Sequence, residues 1–214
     1  MRITVFGAAG NVGSRVVAEA VSRAHEVTAV VPDPARLHEL HAAADPRAGD
    51  AGNVEDVTVL SAGHDVVISA TRPAPGRESE LVTTTQALLA GLTRTGVRLL
   101  VVGGAGSLTV PGTGGVTVID HPHFQPGPSF RDLALACTAQ LEACRADAVV
   151  DWGYLSPAAV LEPGERTGNY RLGTDELLVD LAGISRISME DLAVVLLDEA
   201  ERPKHHRTRF TAGY

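Results

Sequence analysis

Short apolar runs and stretches of helical periodicity alternate along the first two thirds of the chain. Runs typical of buried strands occur near residues 2–6, 26–31, 46–49, 65–70, 98–102 and 149–155. Between them, apolar residues recur every three or four positions and predict helices near residues 11–24, 34–43, 54–62, 78–95 and 130–145. This alternation predicts an α/β fold, a doubly wound parallel sheet with helices on both faces. Ligands bind such sheets at the carboxyl ends of the strands.

The last third of the chain departs from this alternation. The pattern there predicts a loop at residues 157–168, extended pieces around Tyr170 and residues 184–187, a helix at Met189–Glu201 and a strand at residues 208–212. Residues 153–214 are too few to bury a core of their own. We therefore predict a single domain over residues 1–214, in which residues 153–214 form a small accessory lobe.

A segment rich in glycine and proline, residues 103–128, follows the fifth predicted strand. Long loops in compact domains are more often functional than passive. We expect this loop to lie over the part of the ligand-binding edge of the sheet where the substrate binds. The alternative is a mobile loop that folds away from this edge.

A glycine-rich turn joins the first strand to the first helix in the sequence RITVFGAAGNVG. Gly7 allows a sharp exit from the strand, Gly10 lets the backbone approach a pyrophosphate, and Gly13 lets the helix pack close to the sheet. The amides of the first helical turn then face the phosphates, where the helix dipole favours negative charge.

The spacing GxxGxxG differs from the best-known GxGxxG fingerprint, and small residues at such a turn can serve packing alone. Its place at the head of a βαβ unit favours a dinucleotide site. The other cofactor-binding candidates in this turn are Ala9, Asn11 and Val12.

Composition and charge narrow the possible partners of the protein. The chain has 214 residues, 44% of them hydrophobic and 21% charged, which is typical of a globular protein. Its net charge of −8 argues against a surface that binds nucleic-acid phosphates. No apolar run approaches the ~18 residues of a membrane helix. Because Met1 and Arg2 lead directly into the first strand, we expect no signal peptide and a cytoplasmic location.

The two cysteines are expected to be reduced. Cys137 and Cys144 lie in one predicted helix, roughly 10 Å apart along its axis. This separation is too large for a disulfide. Both are predicted to be small core residues.

A family resemblance extends along nearly the whole chain and is carried by GAAGNVGSRVV, HEVTAVVPDPARL, AGD, GHDVVISA, LLVVGGAGSL, DWGYLSP, PGERTGNYRLG and the end of the chain from ISMEDLAVV onward. In these segments the chain resembles the atypical short-chain dehydrogenase/reductases, a class of oxidoreductases. Within this class, the chain is most similar to the NAD(P)H-binding group related to biliverdin reductase B-type flavin reductases and NmrA-like proteins. The resemblance implies a Rossmann-like fold with a small C-terminal substrate lobe and a nicotinamide cofactor. It is less specific for the substrate.

The end of the second strand is where such proteins hold the adenosine ribose. An acidic residue there binds the 2′-hydroxyl of NAD, whereas an arginine pairs with the 2′-phosphate of NADP. Here Val31 stands at the position of the acid, and Pro32 stands where relatives often carry arginine. Arg36, one helical turn on, can reach a phosphate or lie on a solvated helix face, and Arg15 is a weaker substitute. The missing acid favours NADP, with NAD as the alternative.

The resemblance places further residues against the cofactor, at the ends of the third, fourth and fifth strands. These residues are Asp50, Ala51, Ala70, Thr71, Gly103 and Gly104. Asp50 and Ala51 are expected beside the adenine. Gly103 and Gly104 are expected to admit the nicotinamide ribose, because they have no Cβ.

The usual catalytic pair of this class, Tyr-x-x-x-Lys, is missing. The chain has one lysine, Lys204, and Ala200 stands four residues before it. In the register of the family, Phe130 and Ala134 occupy the two positions, and neither transfers a proton. The remaining candidates near the nicotinamide are Ser107, Asp120, His121, His123 and Tyr154. Of these, Ser107, His121 and Tyr154 are predicted to be catalytic. We expect His123 and Phe124 to complete an acceptor pocket with them, and we expect no metal site.

The family resemblance and the missing Tyr-x-x-x-Lys pair together predict an NADPH-dependent reductase of a small conjugated acceptor, such as a flavin, a quinone or an enone. Such an acceptor takes its proton from water, so the missing pair is not required. A regulatory protein that senses NADP(H) without turnover is one alternative. A sugar or steroid dehydrogenase or epimerase is another, although that chemistry depends on the missing base. We expect a small-molecule partner, no nucleic-acid or membrane partner, and a monomer or homodimer.

Overall fold

The computed structural model describes residues 1–124 and 127–214, and shows helices on both faces of a central sheet. The strands are Arg2–Phe6 (β1), Glu26–Val31 (β2), Asp45–Ala48 (β3), Val66–Ser69 (β4), Arg98–Val102 (β5), Trp152–Pro157 (β6), Val160–Glu162 (β7), Arg171–Gly173 (β8), Arg186–Ser188 (β9) and Thr208–Gly213 (β10). The α-helices are Asn11–Ser22 (α1), Val54–Ser61 (α2), Glu80–Thr95 (α3), Pro128–Ala146 (α4) and Met189–Glu201 (α5). Two 3₁₀ helices cover Pro34–Glu39 and Val118–Asp120.

The sheet is mostly parallel, which confirms the predicted doubly wound α/β fold. Its eight strands lie in the order β3-β2-β1-β4-β5-β6-β10-β8, and β8 is antiparallel to β10. Strand β1 lies between β2 and β4, with Ile3 opposite both Val27 and Val66. The connections diverge at this point, and such a switch point opens a crevice at the carboxyl ends of the strands. The glycine turn after β1 lies at that crevice.

The core has one apolar cluster on each face of the sheet. Helices α1 and α5 cover one face, where Val16, Val17 and Leu196 are buried with Phe210 of β10. Helices α2, α3 and α4 cover the other face, where the buried residues include Val57, Leu88, Leu92, Leu141 and Tyr154. Burial of both faces explains why the strands read as continuous apolar runs.

The helix predicted at residues 34–43 is wrong in type and length. The chain forms a six-residue 3₁₀ helix there, and none of its residues is buried. Its start is well specified, because the Asp33 carboxylate accepts a hydrogen bond from the Ala35 amide and Pro34 occupies the first helical position. Without an apolar face to pack, a longer helix has little to stabilise it.

Strand β6 begins three residues later than predicted. The Asp147 carboxylate accepts hydrogen bonds from the amides of Val149 and Val150, at 2.9 and 2.7 Å. These bonds hold residues 147–150 in a turn until Trp152 enters the sheet. Strands β6, β10 and β8 of the C-terminal segment then extend the main sheet, and α5 packs on α1.

A buried ion pair joins the start of β5 to the end of α5. Nη2 of Arg98 lies 2.7 Å from Oε1 of Glu199, and both side chains are buried. Glu199 also accepts hydrogen bonds from the amides of Lys204 and His205. This network fixes the segment that leads into β10, and therefore the last strand of the parallel part of the sheet.

Both cysteines lie in α4 and are free thiols. Within the described ranges, no helix combines the length and apolar character that crossing a membrane requires.

Candidate functional site

One cavity of about 600 Å³ runs along the carboxyl ends of the strands. It begins at the glycine turn after β1, passes the ends of β4 and β5, and reaches the first turns of α4. Of the fourteen predicted cofactor-binding residues, all except Gly13 line it. Residues from five separate parts of the chain are thus brought to one cavity.

The backbone of the turn leaves no room for side chains at its glycines. Gly7 has a φ of +78°, and a Cβ there would lie 2.6 Å from the carbonyl oxygen of Ala70. A Cβ on Gly13 would overlap the carbonyl of Gly7, so Gly13 serves the close packing of α1 rather than the cavity wall. A Cβ on Gly10 would lie 3.1 Å from the same carbonyl oxygen.

The start of α1 is suited to an anion. Gly10 is the N-cap residue and provides no side-chain hydrogen bond, and the first turn carries no acidic side chain. The first amides of a helix have no intrahelical acceptors, and they carry the positive end of the helix dipole. Because Asn11 and Val12 line the cavity, this positive end faces it. The turn therefore fits the pyrophosphate of a dinucleotide.

Arg36 lies at the end of the cavity where the ribose is expected. Its Nη2 atom lies 3.4 Å from the carbonyl oxygen of Ala9 and 2.7 Å from Oε2 of Glu39. The hydrogen bond with Glu39 raises the pKa of Arg36, so the guanidinium stays charged. Arg15 turns away from the cavity and pairs with Glu190 at 2.5 Å. Of the two arginines, only Arg36 is placed to reach a 2′-phosphate.

Asp50 and Ala51 lie on the same side of the cavity as Arg36. Oδ1 of Asp50 accepts a hydrogen bond from the Gly52 amide at 2.8 Å, and the Asp50 amide donates to Asp56. These bonds set the backbone of the loop between β3 and α2. Pro32, Ala70 and Thr71 complete the wall at the ends of β2 and β4.

Gly103 and Gly104 line the cavity with their backbone. The prediction that their missing Cβ atoms make room for the nicotinamide ribose is wrong. A Cβ on Gly103 would overlap the ring of Tyr154, and a Cβ on Gly104 would lie 2.9 Å from Cβ of Cys137. The space that the missing Cβ atoms leave is filled by the protein, not by a ribose. Their role is to let β5 pack against β6 and α4.

Tyr154 is placed in the core instead of on the cavity wall. Its side chain is fully buried, and its hydroxyl donates to the carbonyl of Cys137 at 2.7 Å, with Oε1 of Gln140 at 3.2 Å. Burial raises the pKa of Tyr154 well above its usual value. The predicted role of Tyr154 in catalysis is therefore corrected, because alternate residues of β6 face α4 and this ring fills the gap at Gly103.

Ser107 and the two histidines of the long loop are also not among the residues that line the cavity. The Ser107 hydroxyl accepts a hydrogen bond from the buried Arg209, at 2.8 Å. The rings of His121 and His123 contact each other edge to face, with centroids 5.1 Å apart. Phe124 does line the cavity, as expected for the acceptor pocket. In the described ranges, no group of three or more His, Cys, Asp or Glu side chains forms a metal site.

The far end of the cavity is an apolar chamber that sequence reasoning largely missed. We define the chamber by Arg72 and Pro73 after β4, Phe124 of the long loop, and Phe130, Leu133 and Cys137 of α4. The α4 residues are spaced three and four apart, which places them on one helix face. This spacing could have indicated the chamber from the sequence alone. An apolar helix face of this kind can equally pack against another helix, so the spacing is not specific for a cavity.

The chamber holds few groups that can donate a proton. Burial raises the pKa of the Cys137 thiol to about 11, so this group is neutral at physiological pH. Arg72 is the charged member, and its side chain is exposed at the rim. From Ala105 to Cys137, the described lining consists of one glycine and apolar side chains apart from this thiol. The charged and hydroxyl side chains of Arg77, Glu80 and Thr84 line the same cavity from the side of α3.

The comparisons with known proteins agree with this geometry. A sequence model of a family described as NAD(P)H-binding matches residues 7–203. The solved structures that are similar over the whole of this chain include the following three. A candidate exported protein from Burkholderia pseudomallei is 37% identical, with a TM-score of 0.89 and full coverage of its own chain. A candidate epimerase from Bacteroides thetaiotaomicron is 37% identical, with a TM-score of 0.88 and 96% of its chain covered. A candidate NADH-flavin reductase, SP1627 from Streptococcus pneumoniae TIGR4, is 34% identical, with a TM-score of 0.87 and 99% of its chain covered.

Proposed function

Because this chain belongs to the NAD(P)H-binding family, we propose that it is an NADPH-dependent reductase of a small conjugated acceptor. The acceptor is a flavin, a quinone or an enone. The observation that carries the proposal is the continuity of one cavity from the glycine turn to the apolar chamber. The likeness to a candidate NADH-flavin reductase supports the same class of reaction.

The residues of this chain contribute mainly by placing the reactants. When bound, a reduced nicotinamide supplies a hydride. The turn at Gly7 and Gly10 holds the pyrophosphate, and the backbone at Gly103 and Gly104 positions the ring. The chamber orients a flat acceptor, and proximity of this kind supplies much of the rate of hydride transfer.

The scarcity of proton donors in the chamber favours a conjugated acceptor. Reduction of a simple ketone requires a protein acid beside the developing alkoxide. A conjugated ring spreads the added charge and is protonated from water. This difference disfavours a sugar or steroid dehydrogenase and an epimerase, because both rely on an acid or a base at the substrate.

The preference for NADPH rests on Arg36. Its guanidinium reaches the glycine turn, and Val31 and Pro32 place no carboxylate against a 2′-phosphate. A charge-assisted contact with arginine is a common way to recognise that phosphate.

Turnover with a panel of acceptors tests the proposal. Oxidation of NADPH is followed by absorbance in the presence of FMN, riboflavin, menadione and an aryl enone, with Gly10→Leu as the control that lacks a functional turn. We expect turnover with at least one acceptor, and loss of it in the control. Tight NADPH binding without turnover on any acceptor would favour the regulatory sensor instead.

We also propose that the protein acts in the cytoplasm as a monomer or homodimer. The free thiols of Cys137 and Cys144 are consistent with a reducing compartment. Since one similar structure is described as exported, fractionation of cells expressing the untagged chain is the appropriate test. Recovery in an extracellular or periplasmic fraction would contradict the assignment.

A further inference from the structure

We propose that the acceptor carries an anionic group, a phosphate or a carboxylate, which pairs with Arg72 at the rim of the chamber. This inference rests on the proposed function, since it names the class of acceptor for the same cavity. It makes Arg72 a residue that determines specificity.

Within the described ranges, Arg72 differs from the other arginines of the cavity in having no hydrogen-bond or ion-pair partner. Arg36 pairs with Glu39, and Arg77 pairs with Glu80 at 2.6 Å. Arg72 forms no hydrogen bond or ion pair with any residue of the described ranges. The chain has 26 acidic residues against 18 lysines and arginines, so carboxylates are abundant. An arginine that remains unpaired at a cavity rim in such a protein is available to an anion from outside.

The surroundings of Arg72 combine this charge with an aromatic surface. A second recess of about 300 Å³ adjoins the chamber, and the two share Arg72, Pro73, Phe130 and Leu133. The Phe130 side chain is 53% exposed, which is unusual for a residue of this size. An exposed ring beside a cation fits a flat ligand with a pendant anion.

The charge of Arg72 also acts toward the interior of the chamber. Arg72 lowers the pKa of Cys137, in opposition to the larger effect of burial. Arg72 and Cys137 both line the cavity, so the charge of Arg72 acts on the chamber. An acceptor held in the chamber has its anion within reach of the same cation.

The pyrophosphate of the cofactor is the competing anion for Arg72. The glycine turn already offers it the first amides of α1. Thr71, the residue before Arg72, lies beside this turn, since a Cβ on Gly7 would be 3.0 Å from the Thr71 amide nitrogen. Arg72 follows β4 and borders the α4 side of the cavity. We therefore assign Arg72 to the acceptor, and the experiment separates the two assignments.

FMN and riboflavin form a matched pair of probes, because they share a ring system and differ by one phosphate. Their affinities for the NADP⁺-loaded protein are measured by quenching of flavin fluorescence. We expect FMN to bind about fivefold to tenfold more tightly than riboflavin, as one partly screened charge pair allows.

In Arg72→Ala this preference disappears, while riboflavin and NADPH affinities are unchanged. Arg72→Lys retains part of it, and raised salt narrows it. Arg94→Ala, an exposed arginine at the far end of α3, removes the same charge and leaves the preference intact.

Each outcome bears on a separate claim. Equal affinity for both flavins, or no binding of FMN, overturns the anionic subsite even if the protein reduces other acceptors. Loss of NADPH affinity in Arg72→Ala assigns the residue to the cofactor and also overturns it. Preferential FMN binding without turnover of FMN or of any other acceptor in the panel supports the subsite and refutes the reductase.

Discussion

Gly103 packs directly against the ring of Tyr154, and a Cβ at position 103 would overlap Cε1, Cζ and the hydroxyl of that ring. The contact joins the carboxyl end of β5 to the middle of β6. It also places the Tyr154 hydroxyl against α4, where it meets the carbonyl of Cys137. The end of β5, which borders the cavity, is thus positioned by a residue that does not touch the cavity.

Gly103→Ala is expected to destabilise the protein by about 2 kcal/mol or more, since an overpacked core must shift to accommodate the methyl group. Urea unfolding measures the change. Gly127→Ala is the control, because its φ is −59° and no atom lies within 4 Å of the added Cβ. If Gly103→Ala and Gly127→Ala were equally stable, the Tyr154 ring would have to move aside at no cost to accommodate the methyl group at position 103.

Gly10→Leu is expected to weaken NADPH binding by at least about tenfold, because a side chain at the N-cap blocks the approach of a pyrophosphate to the amides of α1. Calorimetry measures the affinity, and circular dichroism confirms that the variant is folded. Unchanged affinity in the folded variant would mean that the dinucleotide lies elsewhere.

Arg36→Ala is expected to narrow the preference for NADPH over NADH by about tenfold, because one charge-assisted contact to the 2′-phosphate is lost. Glu39→Gln should widen the preference, since Glu39 holds the same guanidinium at 2.7 Å. Calorimetry with both cofactors gives the ratios. A parent protein with equal affinity for the two would contradict the assignment.

Glu199→Ala is expected to cost about 3 kcal/mol of unfolding free energy, because Arg98 keeps only the more exposed carboxylate of Asp151 and the amides of Lys204 and His205 lose their acceptor. Glu142→Ala breaks an exposed pair with Arg145 and should cost less than about 1 kcal/mol. Denaturant unfolding compares the two. Similar losses in both variants would show that the buried pair has no special importance.

Cys137 is expected to react slowly with iodoacetamide at neutral pH. Burial disfavours the thiolate and raises its pKa to about 11, so the reactive form increases only as the pH approaches that value. Alkylation rates in a Cys144→Ala background give the pH profile of Cys137 alone. Arg72→Ala should shift the profile to higher pH, since it removes a charge that favours the thiolate. A midpoint near 8.5, the value of a free cysteine, would contradict the burial.

Local patterns in the sequence were sufficient for the fold and for the glycine turn of the cavity, and the family resemblance supplied the other residues that line it. The apolar runs predict β1, β2 and β5 with the bounds that the structure has, because a strand buried on both faces needs a continuous apolar run. The glycines at positions 7, 10 and 13 could be interpreted individually, because the turn between a strand and a helix limits φ and side-chain volume within a few residues. The carboxyl ends of parallel strands then bring Asp50, Ala70 and Gly103 to one edge.

The direction of each polar side chain near the chamber was decided by tertiary structure. Tyr154 turns into the core because Gly103, fifty-one residues earlier, leaves room for its ring. Ser107 is held by Arg209, and Arg36 shares its guanidinium with Glu39. Arg72 forms no ion pair within the described ranges, although Glu78 lines the same recess and accepts a hydrogen bond from the Gly76 amide. These outcomes depend on which distant elements meet and on how volume and charge balance between them, and no local spacing encodes that balance.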